Sequence, residues 1–309
     1  MPASTVTDLR PCTARDGFII VAILWILGAL SALVSIYAVY VVDTAAGFVE
    51  HDDRLREEAL VSAALAVTAY RQLTAQPQSR PSQGNFSFKF AGADIRVSFC
   101  SEAARIDLNA ASKELLGGLF VSLGARPADA DSYADRVVDW RTVAPKDQPV
   151  DGPSHGKARP AYGVRGAKFP QVDELAAVRN LPSALLERTL PFVTVYSGRP
   201  QINISDAAPE VIAALPGMTA DRVKAVLEQR RTRPDNKQAQ IQLLGTAQQY
   251  ATTEASRAIR VNIQIALKNT RQRQFEVVIL LYDEGSEPFS VLSWRNKPEI
   301  GRKIQAGLQ

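Results

Sequence analysis

Hydrophobic residues are concentrated first in one uninterrupted segment near the N-terminus. Residues 18–42 contain no Asp, Glu, Lys, Arg or His. A helix over this segment would be roughly 37 Å long at about 1.5 Å per residue, which exceeds the ~30 Å hydrocarbon core of a bilayer. The segment is therefore predicted to be a membrane anchor. Apolar positions then recur every three or four residues, so we expect one helix over residues 18–73.

Two short segments with alternating polarity follow a polar linker at residues 75–84. Residues 86–90 and 93–99 alternate apolar and polar side chains around a turn at Ala91-Gly92. This pattern is typical of a β-hairpin with one buried face.

Matching alternation returns only near the C-terminus, in residues 259–267, 275–282 and 289–294. A break this long in a sheet requires a domain of its own. We therefore expect a split α/β domain, residues 84–101 and 257–309, with residues 102–256 inserted as an α-helical domain. The fold class is α+β.

The insertion contains a weak internal repeat. Residues 105–119 align without gaps to residues 201–215, and Ala-Asp-Arg-Val follows in each copy, at residues 134–137 and 220–223. Suitable N-caps precede each first helix, namely Asn109 or Ser112 and Ser205 or Asp206. The insertion is thus predicted to be all-α and built from two helix-hairpin units.

Composition and charge narrow the functional classes. The net charge is +4, the pI is about 9.1 and only two cysteines occur, Cys12 and Cys100. Basic and acidic residues are interleaved, so charge alone does not indicate a nucleic-acid partner. The cysteines and the two histidines, His51 and His155, have no spacing that binds zinc.

The junction before the apolar run has a distinctive sequence. A polar leader, residues 1–17, ends in Arg15-Asp16-Gly17, and Phe18 opens the apolar segment. This junction resembles the leader of type IV pilins and type II secretion pseudopilins. The resemblance implies cleavage by a prepilin peptidase between Gly17 and Phe18 and N-methylation of Phe18. The basic residues before the anchor weakly favour a cytoplasmic N-terminus, so we expect a single-pass inner-membrane protein with a periplasmic C-terminal domain.

The fifth residue after this junction departs from the common pattern. Most subunits of these families carry a Glu there, whereas this chain has Ala22. An unpaired charge in lipid is costly, so a subunit without this carboxylate cannot neutralise the N-terminal amine of a subunit above it. Within the pseudopilins, this absence is typical of the K-type minor pseudopilin at the filament tip.

Further segments resemble the K-type family, the general secretion pathway protein K. They are Val138-Asp-Trp-Arg141, residues 170–181, Phe192-Val-Thr-Val195 and Val291-Leu-Ser-Trp-Arg295. The resemblance implies a pilin-like helix packed on a small antiparallel sheet. It also implies minor pseudopilins of I and J type, the prepilin peptidase and the inner-membrane assembly platform as partners, with the secretin or the secreted substrate as further contacts.

The alternative is a membrane-anchored DNA-binding protein of a competence or type IV pilus system. Residues 202–230 resemble helix-hairpin-helix modules, which are SAM-like, and Arg230, Arg231 and Arg233 offer charges for phosphates. Such modules place two glycines in the turn, so that backbone N–H groups approach a phosphate. Here Gly217 is present and Thr219 stands in the other place, so we expect no nucleic-acid partner.

K-type relatives often bind calcium after the Asp-Trp element. This chain offers only Asp139, Asp147 and Asp151 there, beside Lys146 and Lys157. Calcium requires six to eight oxygen ligands with several carboxylates, so the site is predicted to be degenerate and no cofactor is expected. Nucleophile elbows, phosphate loops and paired histidines are also missing from the sequence, so we expect a protein that is not an enzyme.

Overall fold

A computed structural model of the protein describes residues 16–76, 80–142, 166–267 and 272–297. The chain divides into two units, residues 1–59 and residues 60–309. Helix α1 (Asp16–Leu73) supplies every described residue of the first unit and the first element of the second. It begins two residues before the predicted start at Phe18 and ends where the sequence pattern ends.

In chain order the strands are β1 (Gln83–Phe90), β2 (Ala93–Ser101), β3 (Ile106–Asp107), β4 (Val193–Thr194), β5 (Ile202–Asn203), β6 (Ala251–Thr252), β7 (Ala258–Leu267), β8 (Gln272–Leu281) and β9 (Phe289–Lys297). Five of them form one antiparallel sheet in the order β1-β2-β7-β8-β9. The predicted combination of a long N-terminal helix with an antiparallel sheet is confirmed.

One face of this sheet, called here the inner face, packs against the second half of α1. The helix contributes side chains that recur at helical spacing and are almost fully buried: Leu60, Val61, Ala64, Leu65 and Ala69. The strands contribute alternate residues, such as Ile95, Val97, Val261, Ile263, Val277 and Ile279. Side chains at a spacing of 3.6 residues on the helix and of two residues on the strands thus pack into one core.

The insertion between β2 and β7 contains the remaining elements. Its α-helices are α2 (Lys113–Ser122), α3 (Pro127–Arg141), α4 (Ser183–Thr189), α5 (Pro209–Ala213), α6 (Ala220–Thr232) and α7 (Lys237–Gln242). Short 3-10 helices cover Glu102–Ala104, Val172–Ala177, Leu190–Phe192 and Gly245–Tyr250. The insertion is not all-α, because β3 pairs in parallel with β4 and β5 pairs in parallel with β6.

These small parallel sheets close two structurally similar repeats within the insertion, called here its first and second units and distinct from the two units of the whole chain. In the first, the N–H of Leu108 donates to the Thr194 carbonyl at 2.8 Å, and in the second the N–H of Ile204 donates to the Thr252 carbonyl at 3.1 Å. Each unit therefore runs from a short strand through helices back to a strand beside it. Two-residue strands are too short to produce an alternating pattern, so the sequence pattern could not reveal them.

The Ala-Asp-Arg-Val matches do not align in space. Arg141, at the end of α3, donates to the carbonyls of Leu108 and Ala111, each at 2.6 Å. Arg230, near the end of α6, donates to Ile204 at 3.3 Å and Ala207 at 2.7 Å. These arginines are equivalent, which aligns residues 134–137 with 223–226 rather than with 220–223. Both segments do lie on the second helix of their unit, α3 and α6, but their registers differ by three residues, nearly one helical turn.

The two units contact each other closely where α2 meets α5. A Cβ atom on Gly118 would lie 1.9 Å from the carbonyl oxygen of Ala214. Gly118 and Ala214 occupy corresponding positions in the aligned repeats, so the units face one another around this contact. Only glycine permits this approach of two backbones.

Candidate functional site

The N-terminal part of α1 has the properties of a membrane anchor. Its Ile19–Val41 segment has a mean hydropathy of 2.7, and none of the scored window is buried inside the protein. Trp25, for example, is 76% exposed. Because such a surface is unfavourable in water, the helix is consistent with the predicted anchor.

The predicted processing residues lie at the start of this helix. Gly17 and Phe18 are in the first turn of α1, and Ala22 follows one turn later on the same helix. Ala22 brings no charge to the apolar segment. Cleavage after Gly17 and methylation of Phe18 stay predictions.

The two ends of the insertion meet at a pair of buried serines. The backbone N–H of Ser256 donates to Ser101 Oγ at 2.8 Å, and the two hydroxyl oxygens are 3.3 Å apart. Ser256 Oγ also donates to the Ala258 carbonyl at 2.7 Å. These bonds join the chain at the point where it leaves the sheet to the point where it returns.

A buried carboxylate beside this junction connects the sheet with the first repeat unit of the insertion, the one closed by β3 and β4. Glu102 is fully buried and accepts hydrogen bonds from Arg260 Nε at 2.7 Å and Arg260 Nη2 at 3.0 Å. It also accepts from Arg105 at 3.2 Å and from the hydroxyl of Thr194. Arg260 lies on β7, whereas Thr194 lies on β4. Several donors therefore compensate the cost of burying this charge.

The charge network continues across the outer face of the sheet. Arg260 Nη1 donates to Glu276 at 2.8 Å, and Lys297 Nζ lies 2.6 Å from the other oxygen of Glu276. Burial opposes ionisation of Glu276, yet the hydrogen bond from Lys297 and the charge of Arg260 hold its pKa below the ordinary value. Glu276 therefore stays ionised at neutral pH, and the network connects β7, β8 and β9 to the insertion.

Sequence reasoning missed Glu102 and Arg260 as a pair. They are 158 residues apart, and each by itself resembles an ordinary charged residue at the end or on the face of a strand. The only sequence signal was a carboxylate at the predicted start of the α-helical insertion.

The structure does not bring together a calcium site from the predicted residues. Asp139 is exposed on α3, while Asp147 and Asp151 lie outside the described residues. Within the part of the chain that the structure describes, no group of three or more His, Cys, Asp or Glu side chains is placed to bind a metal.

Two of the three arginines in the segment that resembles a DNA-binding module, residues 202–230 and the arginines that follow, make hydrogen bonds within the fold. Arg230 satisfies two backbone carbonyls, as described above. Arg231 makes two hydrogen bonds to Glu228, at 3.0 and 2.8 Å. In the turn, Gly217 has a φ of +75°, and its carbonyl accepts from Arg222 at 3.5 Å. Two of the three arginines suggested for phosphate contacts therefore already have partners within the fold.

Cys100, the cysteine on β2, is unsuited to nucleophilic chemistry. Burial raises the pKa of its thiol to about 11. The thiol is therefore protonated at neutral pH, whereas the thiolate is the reactive form.

A family model matches the first part of the insertion. Residues 100–198 match the family model described as type II secretion system (T2SS), protein K. This confirms the resemblance to protein K that the sequence motifs predicted, and the match covers β4 and the whole first unit of the insertion.

The fold comparison extends over more of the chain than the protein K match. One chain of the crystal structure of the GspK-GspI-GspJ complex from the enterotoxigenic Escherichia coli type 2 secretion system is similar, with a TM-score of 0.56. The sequence identity is 16%, and the similarity covers 81% of this chain and 98% of that chain. None of the curated proteins compared with this chain matches it. At this identity the structural likeness supports a common fold.

Proposed function

We propose that the protein is a minor pseudopilin at the tip of a type II secretion pseudopilus. The observation that carries the proposal is the protein K match over residues 100–198, in a chain whose first helix contains an uncharged segment, Ile19–Val41, long enough to cross a membrane. In this function the protein initiates the filament and supports export of proteins across the outer membrane. Its role is assembly rather than catalysis.

Assembly begins with processing at the cytoplasmic side of the inner membrane. The prepilin peptidase removes residues 1–17 by cutting between Gly17 and Phe18 and methylates the new N-terminus at Phe18. The apolar segment then holds the subunit in the inner membrane, with the C-terminal unit in the periplasm. The assembly platform afterwards moves the same segment into the filament core.

The chemistry of Ala22 supports a terminal position. A methyl side chain cannot form an ion pair with an N-terminal ammonium group, and an uncompensated charge is strongly unfavourable in an apolar environment. A subunit stacked above this one would therefore leave its amine unpaired. The insertion, residues 102–256, adds bulk that also opposes stacking.

Minor pseudopilins of I and J type are the proposed partners. The support is the similarity to a chain from a crystal structure that contains GspK, GspI and GspJ together. The insertion is joined to the sheet by the Ser101–Ser256 bonds and by the Glu102 network, so the C-terminal unit can present a fixed surface to them. We propose no cofactor, because the sequence offers only Asp139, Asp147 and Asp151 in this region, whereas calcium requires several carboxylates.

Mass spectrometry of the mature protein tests this function. The full-length chain is expressed with its prepilin peptidase and purified from membranes, with a strain lacking the peptidase as the control. We expect a mature N-terminus at Phe18 carrying one methyl group, and Met1 only in the control. An intact leader in membranes that contain active peptidase would contradict the proposal.

A further inference from the structure

The sheet and the insertion have separate hydrophobic cores. The sheet core contains buried residues of α1 and of the five-stranded sheet, beginning with Leu60 and ending with Leu281. The insertion core begins with Ile106 and ends with Ala247. Among the described residues, no side chain belongs to both cores. Each core therefore buries its apolar surface without the other, and this burial is the dominant favourable term in folding.

Four buried apolar residues at the join between the two parts belong to neither core. Ala103 and Ala104 follow β2, Ala258 begins β7 and Val278 lies on β8. A cleft of about 30 Å³ beside Val278, lined by both the sheet and the insertion, leaves room for water. Because three of the four side chains are single methyl groups, these contacts do little to fix the orientation of the insertion.

The two chain crossings between the sheet and the insertion lie side by side. The N–H of Ser256 donates to Ser101 Oγ at 2.8 Å, and Glu102 follows Ser101 directly. Two adjacent crossings have the geometry of a hinge, because they hold the insertion at one point. Side-chain contacts beyond the crossings must therefore fix its orientation.

The carboxylate of Glu102 makes such contacts with both parts. Its Oε1 accepts from Arg260 Nε at 2.7 Å and from Arg105 Nη1 at 3.2 Å. Its Oε2 accepts from Arg260 Nη2 at 3.0 Å and from the hydroxyl of Thr194. The paired bonds to Arg260 fix direction as well as distance, because both groups are planar forks. Glu102 thus joins strand β7 of the sheet to strand β4 of the insertion in one geometry.

Two other polar contacts across the join are weaker. The side chains of Asp173 and Arg295 are 52% and 45% exposed, so their ion pair contributes little. Ser82 hydrogen-bonds with Asp206, but a hydroxyl is a neutral donor. Glu102 is fully buried, so the loss of a partner there leaves an uncompensated buried charge, which has a far larger effect.

We propose that Glu102 is a positioning residue that sets the orientation of the insertion relative to the sheet, while each core folds without it. Its bonds to Arg260 on β7 and Thr194 on β4 carry this role. The orientation bears on the proposed function, on which this part of the inference rests, because a partner that contacts both the sheet and the insertion needs them in one arrangement.

Glu102→Gln removes the charge with almost no change of shape. The carboxylate uses both oxygens as acceptors, whereas a carboxamide has one accepting oxygen and an NH2 group that donates. Each oxygen of Glu102 accepts from an N–H of Arg260, so the NH2 group would face an Arg260 donor whichever way the amide is turned. We therefore expect the insertion to lose its fixed orientation in this variant.

Distances between spin labels test the orientation in the full-length protein in detergent. The labels are attached to Ser98→Cys on β2 and Ala225→Cys on α6, both at exposed positions, in a background with Cys12→Ser and Cys100→Ala. Double electron–electron resonance should give one narrow distance distribution for this protein. Glu102→Gln should widen the distribution at least about twofold, because the buried pair is broken. An unchanged distribution would overturn the proposal.

A second pair of labels reports whether the insertion stays folded. Ala184→Cys on α4 and Ala225→Cys on α6 both lie in the insertion at exposed positions. Their distance should be the same with and without Glu102→Gln. Loss of this distance in the variant would show that the insertion core needs Glu102 to fold, which would also overturn the proposal.

Asp107→Asn is the matched control for the loss of a buried carboxylate. Asp107 is 1% exposed and accepts from Asn109, Ser197 and Gly198, all within the insertion. The variant should lower stability but leave the distance between sheet and insertion unchanged. Equal broadening in Asp107→Asn and Glu102→Gln would reflect a general loss of stability and would contradict a positioning role.

Binding to the I- and J-type subunits separates this inference from the proposed function. If wild type binds neither subunit, the proposed function fails, while the label distances still decide the role of Glu102. If wild type binds, Glu102→Gln should weaken the Kd at least about fivefold and Asp107→Asn less than about twofold, because only correctly oriented molecules bind. Equal Kd values for Glu102→Gln and wild type would overturn the part of the inference that concerns partners.

Discussion

The two units of the insertion have the same plan but different lengths. Both begin with a short strand, β3 or β5, and both end with a parallel partner, β4 or β6. In both, an arginine from the second helix binds the carbonyls that follow the first strand. The helices in between differ, since α2 has ten residues and α5 has five. The conserved features of the pair are thus those that satisfy buried backbone groups, while helix length is free to vary.

The contact between the units should be most sensitive to substitution. Gly118→Ala places a Cβ 1.9 Å from the Ala214 carbonyl oxygen, so the backbones must separate. We expect a loss of more than about 3 kcal/mol in the free energy of unfolding, measured with urea on the protein in detergent. Gly117→Ala is the control, because its Cβ would be 3.8 Å from Ala134. Equal stability of the two variants would show that the units do not pack as described.

Of the two equivalent arginines, the one with the shorter hydrogen bonds should contribute more to the free energy of unfolding. Arg141 makes two bonds of 2.6 Å, whereas Arg230 makes one of 2.7 Å and one of 3.3 Å. Arg141→Met should cost about 3 kcal/mol and Arg230→Met about 2 kcal/mol, since each leaves buried carbonyls unpaired. Urea unfolding measures both. A negligible effect at either position would remove the basis for aligning α3 with α6.

The closing strands give a third comparison. Thr194 and Thr252 each accept a hydrogen bond from the backbone two residues later, at 3.2 and 3.1 Å. Thr194 alone of the two also donates to buried Glu102. Thr194→Val should therefore cost about 2 kcal/mol and Thr252→Val about 0.5 kcal/mol in unfolding free energy. Similar losses for both would indicate that the Glu102 network gains little from the hydroxyl.

Substitutions at the N-caps of α2 and α5 should have the smallest effects on stability, and these effects should have opposite signs. Ser112 caps α2 by accepting from the N–H of Leu115 at 3.3 Å, whereas Ala208 occupies the equivalent position before α5 and has no polar side-chain atom. Their backbone angles are similar, with ψ of 162° and 154°. In thermal unfolding, Ser112→Ala should lower the free energy of unfolding by about 1 kcal/mol, and Ala208→Ser should raise it by about 0.5 kcal/mol. A loss of stability in Ala208→Ser would contradict the proposed equivalence of the caps.

Sequence patterns predicted the elements whose periodicity is long enough to read. The uncharged run before Val42 and the alternation around Ile95 and Ile263 each depend only on neighbouring residues. The repeat that includes Ile106 and Ile202 was also visible, because residues 105–119 and 201–215 carry similar residues without gaps. The shorter α5 shifts the register of the second helices by three residues, which the sequence match of Ala-Asp-Arg-Val did not reveal.

The sequence by itself predicted the apolar helical segment at the N-terminus from its lack of charge. It also predicted the five strands of the main sheet, because burial on one face imposes a local period on the chain. Only the tertiary structure decided that Glu102 meets Arg260 and that Gly118 meets Ala214. Each of these depends on residues far apart in the chain, where distance is set by the packing of whole elements. Local sequence patterns therefore cannot predict these long-range contacts.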